Sequence, residues 1–301
     1  MSPDFVHLHT HSSYSPMWGT STLEALCEAV RTQGHDTLAL TDTNGLYGAI
    51  RFLEVAKRAG LKPILGTEII QAQHRAVLLA KSPEGYGNLC RLLSARHEDE
   101  PFEFIETIQR YRAGLVILSD DFQALTAWRA QSGEDLYVEL TPGADLQKAV
   151  SFSRQNSIPP VATTRAALLR PTDFEAHRLL RAIAENTTLS RLRPDCCCAP
   201  SHWLMPSSVM ARALPHVPEA LSNTRRIANQ CATAWDFQTT IFPSFREMSA
   251  DGAVETLRAK TYNGAVWRYG VLSEVVRARI EKELTVIREK RFADYFLVVD
   301  E

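Results

Sequence analysis

The sequence predicts an α/β protein in which a seven-stranded sheet precedes a helical extension. Seven short runs are apolar on both faces and bounded by turn residues, a pattern typical of buried parallel strands. The runs are residues 5–9, 37–41, 63–65, 76–80, 115–119, 136–140 and 160–164. Helical patterns lie between most of these runs, so the sheet is expected to be parallel and either open or closed into a barrel.

The connecting stretches have the spacing of amphipathic helices. Between the first two runs, Leu23, Leu26 and Val30 fall on one stripe, with Thr22 as a candidate cap. Residues 50–59 and 87–95 behave similarly. Most strands are therefore expected to be followed by a helix that covers the sheet.

The strand pattern stops after residue 170. Helical patterns separated by prolines follow it, at residues 173–185, 207–214, 219–231 and 254–291. We therefore expect three parts: a barrel core at residues 1–170, a helical extension at 171–245 and a further helical segment at 246–301.

Composition excludes several classes of protein. The chain is 45% hydrophobic with a net charge of −2, which argues against disorder and against a strongly basic nucleic-acid coat. No apolar stretch approaches the roughly 18 residues that a membrane span needs, and no secretory signal is recognisable. We therefore expect a cytoplasmic protein with reduced cysteines. The adjacent residues 196–198 are all cysteine, but three neighbours cannot all turn toward one ion.

Three histidines alternate along the first run. In an extended strand His7, His9 and His11 would share one face, and His9 and His11 at its end could bind one divalent ion. The alternative is a polar strand end that carries three histidines without metal.

Other strand ends supply further candidates for a site, because the chemistry of such sheets lies just beyond the carboxyl ends of the strands. They are Asp42, Glu68, Asp120 and Asp121, with His74 at the start of a strand. The alternative for a lone acid such as Asp42 is to cap the next turn.

The sequence resembles the polymerase-and-histidinol-phosphatase (PHP) domain at residues 5–15, 38–42 and 62–68. More narrowly, it resembles the PHP domain at the N-terminus of the alpha subunit of bacterial DNA polymerase III and its error-prone relatives. Shorter matches at 78–81, 160–163, 175–177, 218–224 and 292–299 extend the resemblance over the whole chain. It implies a distorted seven-stranded (β/α) barrel. It also implies a cluster of up to three metal ions that hydrolyses phosphoesters, in some polymerases as a proofreading 3′–5′ exonuclease.

The resemblance also implies that most of the metal ligands are altered. His9 and His11 match the family's His-x-His pair, Glu68 matches its bridging acid, and Asp121 falls at a cysteine position. The other expected ligands are replaced by Trp18, Thr43, Arg75 (with His74 one place away), Arg165 and Ala167. A guanidinium at residue 165 would offset the charge of a missing cation.

We therefore expect remnant ligands at His9, His11, Glu68, Asp121 and His74, in a pocket with His7, Asp42, Arg75 and Arg165. No tightly bound cofactor is expected, only a weakly held divalent metal (Zn, Mn or Mg) at most.

The favoured interpretation is the N-terminal PHP module of a polymerase alpha subunit, with a degenerate site and a structural or interaction role. The alternatives are a metal-dependent phosphoesterase or 3′–5′ exonuclease, and a binding module that docks a proofreading subunit. Expected partners are the remainder of a polymerase chain, DNA through the full-length protein and other replication subunits, but no membrane.

The C-terminal part also bears on the partners. Nine basic residues face four acidic ones between residues 258 and 291, which is also compatible with an ordinary solvated helix. The chain stops after an apolar run at 296–299, so a longer parent protein or a shortened gene is expected. The acids of nucleotidyl transfer would lie beyond residue 301, and the chain alone is not expected to polymerise DNA.

Overall fold

The computed structural model describes residues 5–98, 101–143, 145–237 and 244–301. It divides into two compact units, residues 1–235 and 236–301. The first unit holds a curled sheet covered by helices, which confirms the α/β prediction. No helix among the described residues is long and apolar enough to cross a membrane.

Six strands form this sheet in the order of the sequence. They are β1 (Thr37–Leu40), β2 (Lys62–Gln71), β3 (His74–Ala80), β4 (Leu115–Ser119), β5 (Leu136–Leu140) and β6 (Pro160–Ala162). The prediction of a wholly parallel sheet is wrong at β3, which is antiparallel to both β2 and β4. Only Ala72 and Gln73 join β2 to β3, and so short a connection permits a hairpin but not the crossover that parallel strands need.

The predicted first strand, residues 5–9, is not a regular strand in the described part of the chain. It contributes one isolated bridge, from His7 to Leu38, and a second bridge runs from Thr10 to Ala166 just after it, with a bend at His9 between the two. Seven regular strands are therefore not confirmed. The segment nevertheless bonds on both sides, because the carbonyl of His7 accepts from the N–H of Ala39 at 3.0 Å and the N–H of His11 donates to Ala166 at 2.9 Å.

Nine α-helices are described in the first unit. They are α1 (Leu23–Thr32), α2 (Ala49–Ala59), α3 (Pro83–His97), α4 (Phe104–Tyr111), α5 (Phe122–Gln131), α6 (Leu146–Asn156), α7 (Phe174–Ala184), α8 (Ser207–Ala213) and α9 (Pro218–Gln230). Side chains cap several of them: Thr22 accepts from the N–H of Ala25 at the start of α1, as its sequence predicts. The last three cover three of the stretches predicted to be helical after residue 170.

The described part of the second unit holds α10 (Ala250–Tyr269), α11 (Glu274–Glu289) and α12 (Ala293–Asp300). The pattern over residues 254–291 predicts one continuous helical stretch, which the structure divides in two. Gly270, at φ +68°, ends α10, and the hydroxyl of Ser273 caps α11 by accepting from the N–H of Val276.

The sheet places apolar residues on both faces, since successive side chains of a strand point to opposite sides. Leu78 belongs to the core under α3 and α5, whereas its neighbour Val77 packs on the inner face with Tyr137 and Ile227 of α9. Arg75 and Glu139 lie two residues from Val77 and Tyr137, so the same alternation sends these charged side chains to the inner face.

Candidate functional site

Three predicted ligands meet on the inner face of the sheet. His9 and His11 come from the segment before α1, and Glu68 comes from β2; all three are buried. Nε2 of His9 lies 3.1 Å from Nε2 of His11 and 3.3 Å from Oε1 of Glu68, and Nε2 of His11 lies 3.6 Å from Oε2 of Glu68. One ligand atom from each residue lies within 4.8 Å of the others, so the set is compact enough to hold one divalent ion.

A fourth member of this cluster, Glu139, was missed by the sequence analysis. Its Oε1 lies 2.6 Å from Nδ1 of His9, and it is buried near the end of β5. Because the carboxylate of Glu139 accepts a hydrogen bond from Nδ1–H of His9, Nε2 of His9 faces His11 and Glu68. The sequence did contain a sign of this role, because Glu139 lies inside the otherwise apolar strand β5, and a glutamate is rarely buried without a partner.

Two arginines neutralise the carboxylates. Arg165 donates from its terminal nitrogen to Glu139 at 2.8 Å and to Asp120 at 2.7 Å, and its Nε lies 3.1 Å from Glu139. Arg75 reaches Asp120 at 3.0 Å and has its Nε 3.8 Å from Glu68. Arg165 holds a left-handed backbone conformation (φ 45°), which a non-glycine residue adopts only when its surroundings fix it.

These contacts set the charge of the site. Burial alone would raise the pKa of Glu68, but His11, His9 and Arg75 lower it to about 2. Burial opposes ionisation of Glu139 as well, yet Arg165 and His9 hold its pKa well below the usual range. Burial is also the largest influence on His9, but Glu139 and Glu68 outweigh it and raise the pKa of that imidazole. Carboxylates and cations therefore balance inside the pocket.

Neutral imidazoles lie beside this charged set. Burial lowers the pKa of His11 to about 4, which leaves it uncharged and able to act as a ligand. His202, which the sequence analysis did not single out, has its pKa lowered to about 3 by burial and by the charges of Arg165 and His9.

His74 and Asp121 are placed apart from the three-ligand group. Nδ1 of His74 lies 2.6 Å from Asp121, the imidazole stacks on Phe104, and Asp121 caps α5 by accepting from the N–H of Ala124 at 3.1 Å. His74 lies apart from the three ligands because successive side chains of β3 point to opposite faces of the sheet. Arg75 points to the inner face, so its neighbour His74 points to the outer face.

His7 and Asp42 also have other partners. The bend at His9 breaks the alternation of the three histidines, so the expectation that they share one face is wrong. Nε2 of His7 lies 3.4 Å from the amide oxygen of Gln33 instead. Asp42 accepts from the backbone N–H of Ser12 at 2.7 Å and from the hydroxyl of Ser15 at 2.6 Å. Neither partner belongs to the turn that follows Asp42, which the alternative role would have capped.

The residues fit one ion better than a cluster of ions. His9, His11 and Glu68 supply three ligands, the number typical of an open divalent site. A cluster of two or three ions would also need carboxylates to bridge and neutralise it, and Glu139 and Asp120 are already engaged by Arg165. The pocket carries its own compensating cation.

Two family models match parts of this chain. The family model of the PHP domain matches residues 7–140, and that of the bacterial DNA polymerase III alpha NTPase domain matches residues 255–301. An error-prone DNA polymerase of Symbiobacterium thermophilum is 31% identical over 98% of the chain, and a DNA polymerase III subunit alpha of Halalkalibacterium halodurans is 29% identical over 98%. The chain contains a PHP domain at residues 7–140. It is a PHP module homologous to the N-terminal region of DNA polymerase III alpha subunits.

The PHP module is much shorter than these relatives. It spans 31% of the length of the first and 29% of the second. Among solved structures, a two-domain protein of Bacteroides vulgatus that contains a PHP-like phosphoesterase domain is similar with a TM-score of 0.42 and 13% identity, covering 75% of this chain and 66% of its own.

Proposed function

We propose that this PHP module works as part of a bacterial DNA polymerase alpha subunit and that its pocket is a degenerate phosphoesterase site with a structural or interaction role. The observation that carries the proposal is the guanidinium of Arg165, which bridges Glu139 and Asp120 inside the pocket. An ion pair of this kind supplies the positive charge that metal ions supply in a phosphoesterase.

The same reasoning extends to the architecture. We propose that residues 5–9 act as the seventh strand of a distorted barrel, since hydrogen bonds from residues 7–11 reach both Ala39 of β1 and Ala166 beyond β6. Residues 1–170 would then be the barrel core, residues 171–245 a helical extension of it, and residues 246–301 the segment that leads toward a polymerase domain.

The partners and location follow from the proposed role. The remainder of a polymerase chain would be the principal partner, DNA would be bound through the full-length protein, and a proofreading or other replication subunit could dock on the module. All of these would be met in the cytoplasm.

A second candidate function is residual metal-dependent phosphoester hydrolysis, with a phosphate ester or a DNA 3′ end as substrate. One observation favours it: His9, His11 and Glu68 retain ligand geometry for a single ion. A lone ion could still lower the pKa of a bound water and so generate a nucleophile.

Two measurements on the full chain decide between these functions. Elemental analysis after dialysis is expected to find no stoichiometric cluster of Zn, Mn or Fe. Incubation of an end-labelled oligonucleotide with Mn²⁺ is expected to show no hydrolysis that depends on His9 or Glu68.

The variants His9→Ala and Glu68→Ala test the second point. His74→Ala is the matched control, because His74 lies outside the three-ligand group and pairs with Asp121. Two or three bound ions per chain, or hydrolysis that vanishes in the first two variants and persists in the control, would replace the structural proposal with the enzymatic one.

A further inference from the structure

The turn between α10 and α11 exposes large apolar and aromatic side chains. We call this region, residues 264–280, the hairpin tip. The exposed fractions are 88% for Trp267, 61% for Tyr269, 97% for Val271 and 80% for Val275. Single exposed apolar residues are ordinary, but a contiguous group of this kind marks a binding surface.

The hairpin tip has a defined shape. Gly270, with a positive φ of 68°, ends α10, and Ser273 caps α11 three residues later. Between the two helices lies a groove of about 670 Å³, lined in part by Trp267, Arg268 and Ile280.

Arginines accompany the aromatic residues. Arg268 stands between Trp267 and Tyr269, and neither Arg268 nor Arg277 has an ion pair among the residues that the structure describes. Farther along α11, Arg279 pairs with Glu283. The hairpin tip thus carries three arginines against one acidic residue, Glu274, and its net charge is positive.

We propose that the hairpin tip binds single-stranded DNA, with bases stacked on Trp267 and Tyr269 and phosphates held by Arg268 and Arg277. Stacking on aromatic rings combined with a cationic groove is how proteins bind single strands without reading their sequence. The choice of DNA rests on the proposed function in DNA synthesis. The phosphates of a single strand would match the net positive charge of this segment, whereas an uncharged protein surface would not.

The test is fluorescence anisotropy of a labelled oligothymidylate titrated with the full chain at low salt, with a duplex of the same length as a second probe. Trp267→Ala is expected to weaken binding of the single strand about fivefold or more, since a stacked base contributes at least that much. Trp267→Phe, which keeps a ring, is expected to retain most of the binding. Arg268→Gln is expected to reduce the slope of log affinity against log salt by about 0.7.

Tyr47→Ala is the matched control, because Tyr47 is also an exposed aromatic residue (65%) but belongs to the first unit. Equal affinity in wild type and Trp267→Ala would overturn the proposal. So would absence of binding at the lowest salt, tighter binding of the duplex, or binding of an acidic amphipathic helical peptide instead of DNA. Metal content and hydrolysis depend on His9 and Glu68 and are measured separately, so failure here is distinguishable from failure of the proposed function.

Discussion

Replacement of Arg165 by methionine tests whether the guanidinium stands in for a metal ion. Arg165 is 8% exposed, and its partner Glu139 is 2% exposed. Removal of one member of a buried ion pair costs about 3–5 kcal/mol because the other charge is left without compensation. Asp120 adds little, since its side chain is one-third exposed and an accessible pair is worth about 0–1 kcal/mol. Methionine keeps the left-handed backbone strain of the position unchanged, which a glycine would not.

The expected loss is thus about 3–5 kcal/mol of unfolding free energy, measured by urea denaturation of Arg165→Met. The double variant Arg165→Met with Glu139→Gln is expected to recover much of this loss, because no unpaired carboxylate remains at residue 139. Arg58→Met is the control. It removes an arginine from an exposed pair and is expected to change stability by about 0.5 kcal/mol or less.

A second measurement compares the stability of wild type and Arg165→Met in the presence of a divalent metal. Without the guanidinium, Glu139 becomes available beside His9, His11 and Glu68, so Mn²⁺ or Zn²⁺ is expected to stabilise Arg165→Met more than wild type. A metal concentration of a hundred times the Kd would raise the unfolding free energy of Arg165→Met by about 2.7 kcal/mol. A loss below about 1 kcal/mol, well under the cost of a broken buried pair, or equal stabilisation of both proteins by metal, would refute the reasoning.

Two further predictions concern the scaffold. Burial lowers the pKa of His177, and its Nε2 accepts a hydrogen bond from the N–H of Cys198 at 2.9 Å. As the pH falls, the unfolded chain therefore binds a proton at this histidine before the folded protein does. The stability of the folded protein is expected to fall as the pH drops below about 6.5. Urea midpoints measured at pH 7.5 and 5.5 should show a smaller difference in His177→Gln than in wild type, and an equal difference would contradict the prediction. Gly85→Ala is expected to destabilise the protein strongly, because the added Cβ would lie 2.0 Å from the carbonyl oxygen of Gly114. Gly87→Ala, in the same helix, is the control. Its Cβ would meet only a side-chain atom at 3.4 Å, so this variant should be neutral or stabilising. Thermal unfolding of the two alanine variants checks this, and similar midpoints would contradict it.

Local pattern was sufficient to locate most elements of the sheet. Buried strands such as β4 and β5 coincide with apolar runs because burial on both faces leaves an unbroken apolar stretch. The antiparallel direction of β3 was not predicted. The two turn residues of its hairpin, Ala72 and Gln73, include neither the glycine nor the asparagine that is typical of such turns.

The candidate site was predicted in part. His9, His11 and Glu68 meet as a group, and Arg165 reaches the pocket. The partner of Arg165 could not be predicted, because Glu139 is separated from His9 by 130 positions and only the assembled sheet brings the two side chains together. The bend at His9 lies between two long-range backbone hydrogen bonds, to Ala39 and Ala166, which a period-two pattern does not contain.

The two-sided bonding of residues 7–11 has a consequence for the order in which the protein is made. These residues are synthesised long before Ala166, whose carbonyl lies 155 positions later in the chain and accepts from the N–H of His11. Contacts of such large sequence separation are slow to form because the loop between them must be closed first. The charged pocket therefore cannot be completed until Ala166 has been synthesised, and until then Glu139 remains without Arg165, the cation that neutralises it in the folded protein.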